Sequence, residues 1–508
     1  MNNTNTSHQI AATCLVITFI LASIAVAEDD ATADNDKQET LELITLDNPA
    51  DVEVDNSESD DEEAGPPLPG QESDLEELHR TFALYKSAVA NNSYDEADTL
   101  AKRMVELAIG LFGLDSHESA KALTNLGLVQ QKNKDYESAV LNFTAAIGII
   151  ERIEDRLNSE LVNPLRGLGA AQLGSGRPDL AKRAFDRAVH VTHVNEGPHN
   201  LLQIRILEDL AETYLSVGET SEALDVHQFI YNLEARNADL KSEEIIPALE
   251  RQAEWLHRMS IYEKERITWR RIINILEDSR GKKDLSLIEP LTKLGTSYLY
   301  ISNFQAENFS EGSVASGDTY LKRAIRILES NPDAPWSTMQ KSIVTLGDYY
   351  TLSGRATKAN RIYKEAWEIL SDGEERLQTR ANTLEKPHIL QGINPPKYYN
   401  STHTEDGENK PENFEIGSIV MSYRVSYRGS TRDVEVIDAS PAGLTTMEYS
   451  LGRELRNMVH RPRMEDGEAV DTLNQTYTHE FYYRLSDLPQ LEGEADAEQG
   501  EAVAAEKP

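Results

Sequence analysis

Two hydrophobic periodicities divide this chain. From about residue 75 to 372, apolar residues return at the three-to-four spacing of a helix face. Ala122 to Gln131 reads as one helix, Lys132 to Asp135 as a turn, and Tyr136 to Ile153 as a second helix with Ala139, Phe143, Ala146 and Ile150 on one side. The block then repeats. Ala97, Ala139, Ala181 and Ala223 lie 42 residues apart, and so do Gly127, Gly169, Ala211, Ala253 and Gly295. Beyond Gly295 the step widens to 52 and reaches Gly347; the extra residues fall in the Ser/Gly/Glu-rich stretch from Asn303 to Gly317, which reads as a loop. The last block carries Ala359 and Ala366. Small residues at a fixed register predict close helix crossings. A single helix pair cannot bury its own apolar face, so about seven pairs are expected to stack.

After residue 385 the period changes from helical to alternating. Gly417 to Tyr427 is rich in β-branched and aromatic residues and predicts a strand. Arg428-Gly429-Ser430 predicts a turn, and Arg432 to Asp438 a second strand with Val434 and Val436 inward. Ser440-Pro441-Ala442-Gly443 breaks the chain, and Thr445 or Thr446 caps a helix with Met447, Leu451, Leu455 and Val459 on one face, ended by Pro462. Gly467 turns the chain again, and Gln475 to Leu485 alternates as a last strand. The expected order is β-β-α-β.

The helical blocks resemble the tetratricopeptide repeat. Leu126-Gly127 with Ala139, Phe143 and Ala146, Leu168-Gly169 with Ala181, Phe185 and Ala188, and Leu346-Gly347 with Tyr350, Ala359, Tyr363 and Ala366 follow its pattern. The 42-residue period is similar to the kinesin-light-chain variety. Gln252 and Glu265 depart from the pattern in the fifth copy, and Tyr85 replaces a small residue in the first. The resemblance implies a mainly α fold, a solenoid over 75–372 whose surface binds proteins or peptides or serves as a spacer.

The C-terminal segment, residues 393–489, resembles the C-terminal domain of TonB-family energy transducers. Gly417, Tyr423, Val425, Gly429, Val434, Val436, Pro462 and Gly467 stand at its landmarks in the family's order, and Pro395-Pro396-Lys397-Tyr398 echoes the Pro/Tyr segment that precedes it. The resemblance implies a small α+β domain whose last strand takes up an extended segment of an outer-membrane TonB-dependent receptor. Here that edge is Thr476, Tyr477, Thr478, His479, Glu480, Phe481, Tyr482, Tyr483, Arg484 and Leu485. The family's membrane-anchored Ser/His helix and Pro/Lys-rich linker have no counterpart. His8 precedes the N-terminal apolar run and none lies within it.

Composition sharpens the picture. The 508 residues carry a net charge of −37, which repels nucleic-acid phosphates. Ile10 to Ala27 is apolar and uncharged and ends in Ala25-Val26-Ala27, so residues 1–27 read as an export signal or, uncleaved, as a membrane anchor. Either places the rest outside the cytoplasm, and the TonB resemblance then implies the periplasm, soluble or held at the inner membrane. Residues 28–73 and 490–508 are expected to be acidic, disordered spacers. The single cysteine, Cys14, excludes a disulfide framework. There is no HExxH, GxSxG or P-loop; His190, His193 and His199 cluster between repeats without a ligand pattern. No metal, no cofactor and no enzyme activity is expected. Two functions stay open: a TonB-like transducer or accessory for transport across the outer membrane, and an envelope scaffold of repeats with no part in energy transduction.

Overall fold

A computed structural model describes residues 71–236, 238–300, 316–399 and 414–488. The expected export signal or anchor, nearly all of the expected N-terminal acidic spacer, residues 303–315 of the expected loop, and the expected acidic tail lie outside these residues. The described residues fall into two compact units, meeting in sequence within 301–315.

The first unit is built of helix pairs: α1 (Gln71–Ala90) with α2 (Tyr94–Phe112), α3 (His117–Lys132) with α4 (Tyr136–Ile153), α5 (Val162–Gly174) with α6 (Pro178–Glu196), α7 (Ile204–Ser216) with α8 (Thr220–Ala235), and α9 (Ile246–Arg258) with α10 (Tyr262–Arg280), followed by α11 (Ile288–Ser297). The first helix thus begins inside the stretch expected to be a linker to residue 73.

Each pair closes through a tight turn whose middle residue is left-handed: Asn92, Lys134, Gly176, Gly218 and Ser260, again 42 residues apart. Between pairs, Asn158, Ser242 and Asp284 side chains accept from the backbone N–H two residues on, at 2.8, 3.2 and 2.9 Å, and start short 3-10 turns leading into the next helix. Ser116 caps α3 through Ser119 N–H at 3.2 Å.

The small residues are buried as expected, but the reason differs in part. A Cβ on Gly127 would stand 2.9 Å from the Phe143 ring, and one on Gly169 2.6 Å from that of Phe185. Each glycine makes room for the aromatic ring sixteen residues later on the partner helix, more than for a backbone. Ala97, Ala139, Ala181, Ala211 and Ala223 are wholly buried. Gly295 is buried on α11. Tyr85 fills the position that later pairs keep small, and its buried hydroxyl donates to the Asn125 carbonyl at 3.0 Å. Glu265, in the place of the packing alanine, is a buried carboxylate held by His257 Nδ1 at 3.1 Å and Trp269 Nε1 at 3.3 Å.

The second unit contains α12 (Asp318–Glu329), α13 (Trp336–Leu352), α14 (Ala356–Ile369) and α15 (Glu374–Thr383), then the sheet module. Gly347 and Ala359 repeat the packing of the first unit: a Cβ on Gly347 would lie 2.3 Å from the Tyr363 ring, and Ala359 is fully buried. The module comprises β1 (His388–Gln391), β2 (Glu415–Val425), β3 (Thr431–Ser440), α16 (Thr445–Leu455), β4 (Val459–Arg461), β5 (Arg463–Glu465), β6 (Glu468–Val470) and β7 (Thr472–Tyr483). The antiparallel sheet has the order β3-β2-β7, while β1 pairs β4 and β5 pairs β6 in separate ribbons. Met447, Leu451 and Leu455 of α16 pack on Ile419, Met421, Phe481 and Tyr483 of the sheet. Gly417 keeps its place because Phe481 crosses it, 2.6 Å from where a Cβ would be.

The strand-strand-helix-strand order is present, with three short strands inserted between helix and last strand, and three expectations need correction. Neither Thr445 nor Thr446 caps the helix, which opens at Thr445 with Leu444 at its N-cap and no side-chain cap bond. Val459 and Pro462 are not part of the helix: α16 stops at Leu455, and Val459 to Arg461 pair with β1. That partner lies some 70 residues upstream, so no local signal reveals it. Val436 does not face inward but is 43% exposed. Register shifts opposite Val420/Met421 and Ser422/Arg424 are β-bulges, which break strict alternation along β3.

Candidate functional site

The expected binding strand is an edge strand. β2 pairs residues 475–483 of β7 without a register break, so even-numbered residues of β7 direct their backbone N–H and C=O away from the sheet. Tyr482 demonstrates the direction: its N–H donates to the Lys397 carbonyl at 2.7 Å, and its carbonyl accepts from Tyr399 N–H at 2.8 Å. Thr476, Thr478 and Glu480 point the same way, and among the described residues they have no backbone partner on that side. Their side chains are exposed, whereas His479, Phe481 and Tyr483 are buried and Tyr477 half-buried. Arg484 and Leu485 lie beyond the strand; Leu485 opens a short 3-10 turn and is 68% exposed.

Among the described residues the margin therefore has an open stretch, Thr476 to Glu480, and a covered end at Tyr482. The opposite margin is different. β3 has its bulges, Asp433 in the left-handed region at φ 51, and the charges Arg432, Asp433, Glu435 and Asp438. Such features deter pairing. β7 has its own irregularity, with Asn474 at φ 54, but its stretch from Gln475 to Tyr483 is unbroken.

His479 shows how the module holds this strand. Its Nε2–H donates to the Pro396 carbonyl at 2.9 Å, and burial lowers its basicity despite that bond and the nearby Glu480. His460, a buried residue of β4, has no partner for Nε2 among the described residues, and burial pushes its pKa down to about 4.

The second feature, missed in the sequence, is a charged lock between the module and the helices of the same unit. Arg461 on β4 donates from Nε to Asp348 Oδ1 at 2.9 Å and from Nη2 to Oδ2 at 2.8 Å, and from Nη1 to the Thr383 carbonyl at 2.8 Å. Tyr363 donates to Asp348 Oδ1 at 2.8 Å, and its oxygen lies 2.9 Å from the Thr351 hydroxyl. Burial opposes the charge on Arg461, yet the Asp348 carboxylate and Tyr363 hold the guanidinium well above its ordinary range. The one available signal was a tyrosine at 363 where earlier copies have Phe143 and Phe185. Asn360 donating to the Tyr427 carbonyl at 3.2 Å and Lys364 against Glu468 at 2.5 Å extend the contact.

In the first unit, neighbouring first helices are bridged by ion pairs: Arg166–Asp209 at 2.5 Å, Arg251–Glu208 at 3.0 Å and Arg258–Glu212 at 2.5 Å. His193 bonds Gln203 at 2.5 Å. Among the described residues, no helix is long and apolar enough to cross a membrane.

No protein-family model and no curated protein matches the chain. Several solved structures are similar to it. One is a putative kinesin light chain of Podosopora anserina with nearly identical TPR-like repeats, at 13% identity over 40% of this chain and 97% of that one, TM-score 0.36. Another is the C-terminal part of a TPR repeat-containing protein from Cytophaga hutchinsonii, at 11% identity over 59% and 98%, TM-score 0.36. A third is PilF of Pseudomonas aeruginosa, at 14% identity over 54% and 97%, TM-score 0.30. The described helices have the fold of a tetratricopeptide-type solenoid. The chain's own 42-residue geometry carries that statement: paired helices, left-handed turns in register, and a glycine under each of the rings of Phe143, Phe185 and Tyr363.

Proposed function

We propose that this chain is a periplasmic interaction protein that grips an extended segment of an outer-membrane receptor by strand addition, as a TonB-like energy transducer or an accessory of transport across the outer membrane. It works without bond chemistry. One observation carries the reading: the outward backbone groups of Thr476, Thr478 and Glu480 on the unbroken stretch of an edge strand. Three such residues offer about six hydrogen bonds at roughly 0.5–1.5 kcal/mol each. Ordering the peptide removes part of that, so the grip is weak and reversible, as suits a partner that must be released.

Thr478→Pro tests it. Proline deletes the outward N–H and leaves the bonds to β2 intact, and edge strands tolerate it. A photo-crosslinker placed at Thr476 of the full chain in envelope preparations is expected to capture a receptor's extended N-terminal segment, and Thr478→Pro is expected to abolish the capture. Unchanged capture in that variant refutes strand addition.

A second reading, an envelope scaffold with no part in energy transduction, is favoured by the Arg461–Asp348 lock, which ties the module to helices instead of a long tether. Fractionation with N-terminal sequencing separates the two. A soluble mature chain beginning at Glu28 favours the scaffold; an intact membrane-held N-terminus favours transduction.

A further inference from the structure

The covered end of the β7 margin is covered by this same chain. Tyr398 bridges Tyr482 in the parallel sense, through the Tyr482 N–H to Lys397 carbonyl bond and the Tyr399 N–H to Tyr482 carbonyl bond. The Tyr398 ring lies edge-on to Phe414, with centroids 5.5 Å apart, and tilted over Tyr482 at 5.4 Å. Pro396 contributes only its carbonyl, to His479.

This segment has the features of a weak strand ligand. It is extended by composition, since Pro395 and Pro396 hold φ near −65° before any contact forms. Its pairing goes no further: in the parallel register Lys397 N–H and the Pro395 carbonyl would face Glu480, yet no such bond forms among the described residues, and Pro395 has no N–H for the outward carbonyl of Thr478. Its main-chain grip is confined to one residue of β7, and an aromatic ring supplies the rest. A tether makes such a contact persist, because a short linker holds it at a millimolar effective concentration. A longer free peptide pairing from Thr476 through Tyr482 would make several times as many bonds.

We propose that residues 395–399 are a resident pseudo-ligand of the β7 margin, which an incoming extended peptide must displace to pair beyond Glu480. This rests on the strand-addition reading and adds its regulation: the affinity of the margin is set by how firmly the chain's own segment holds Tyr482.

The test uses the full chain and a labelled synthetic peptide of residues 393–402, INPPKYYNST, followed by fluorescence anisotropy. Exchange of the Tyr482 amide is measured in parallel. Tyr398→Ser removes the ring contact, and Tyr399→Pro removes the donor to the Tyr482 carbonyl outright should the first variant leave Tyr482 protected. The freed variant is expected to bind the peptide at least tenfold tighter than the native chain, to exchange the Tyr482 amide at least tenfold faster, and to regain protection on adding peptide. Equal binding by the native and freed chains overturns the pseudo-ligand while leaving strand addition standing. Absence of binding by both, with the Tyr482 amide freed, also overturns the pseudo-ligand, whereas strand addition falls only with the crosslinking result for Thr478→Pro.

Discussion

Asp348→Ala is the most informative single change. It leaves the Arg461 guanidinium with one carbonyl, that of Thr383, where the native chain offers two carboxylate bonds as well. The side chains are 12% and 18% exposed, so water reaches them only in part. Removing one partner of a buried pair costs about 3–5 kcal/mol because the surviving charge is stranded. Partial access places this site near the lower end, about 3 kcal/mol. Tyr363 loses one acceptor too but keeps Thr351, so little is added. At a urea slope of about 2 kcal/mol/M, the midpoint falls by about 1.5 M. Urea titration with hydrogen exchange read on segments of the full chain is the suitable assay, because whole-chain melting of two units need not be two-state. The loss should appear in peptides spanning 456–470 and 340–365 and leave those from 117–153 unchanged. Removing both charges, as Asp348→Leu with Arg461→Met, should recover most of the loss. A cost below 1 kcal/mol for Asp348→Ala, or a double variant no better than the single one, would refute the claim that this pair locks the module to the helices.

Gly169→Ala sets two effects against each other. Alanine favours a helix interior by about 1 kcal/mol, but its Cβ would stand 2.6 Å from the fully buried Phe185 ring, and overpacking costs about 1–3 kcal/mol. Net destabilisation is expected in thermal melts, relieved by adding Phe185→Leu; an unchanged midpoint would show that the ring is free to move. The His227 ring lies tilted against Trp255 with centroids 3.8 Å apart, its Nε2 has no partner among the described residues, and burial, then Arg258 and Arg251, pushes its pKa down to about 3. A folded-state pKa below the unfolded value means no contribution at pH 7 and a loss of stability as pH falls from about 6.5 towards 3, at up to about 1.4 kcal/mol per pH unit. His227→Leu should flatten that part of the urea-midpoint profile, and superimposable profiles would count against the assignment.

How much of this was legible beforehand follows from the range over which each feature is determined. The repeat was readable because its causes are local and recur: Ala139, Ala181 and Ala223 occupy the same register, and the same packing imposes the same residue each time. Even so, the reason for the glycines lay in the facing ring. The left-handed turn register was half hidden, since Lys134 and Ser260 stand where Asn92, Gly176 and Gly218 would have announced it.

The sheet module divides the same way. Alternation from Gln475 to Leu485 marked a strand, which ends two residues sooner at Tyr483, and the spacing of Met447, Leu451, Leu455 and Val459 marked the helix above it, which stops at Leu455. Neighbour choice was beyond such signals. The placement of β7 at an edge, the bulges that expose Val436, the recruitment of Val459 to Arg461 by β1, and the meeting of Arg461 with Asp348 across 113 residues are long-range pairings. Sequence alone determined which segments bury an apolar face and with what period, because that depends on residues a few positions apart. Only the tertiary structure decided which backbone edge stays open and which charges meet, because those depend on what the rest of the chain places beside them.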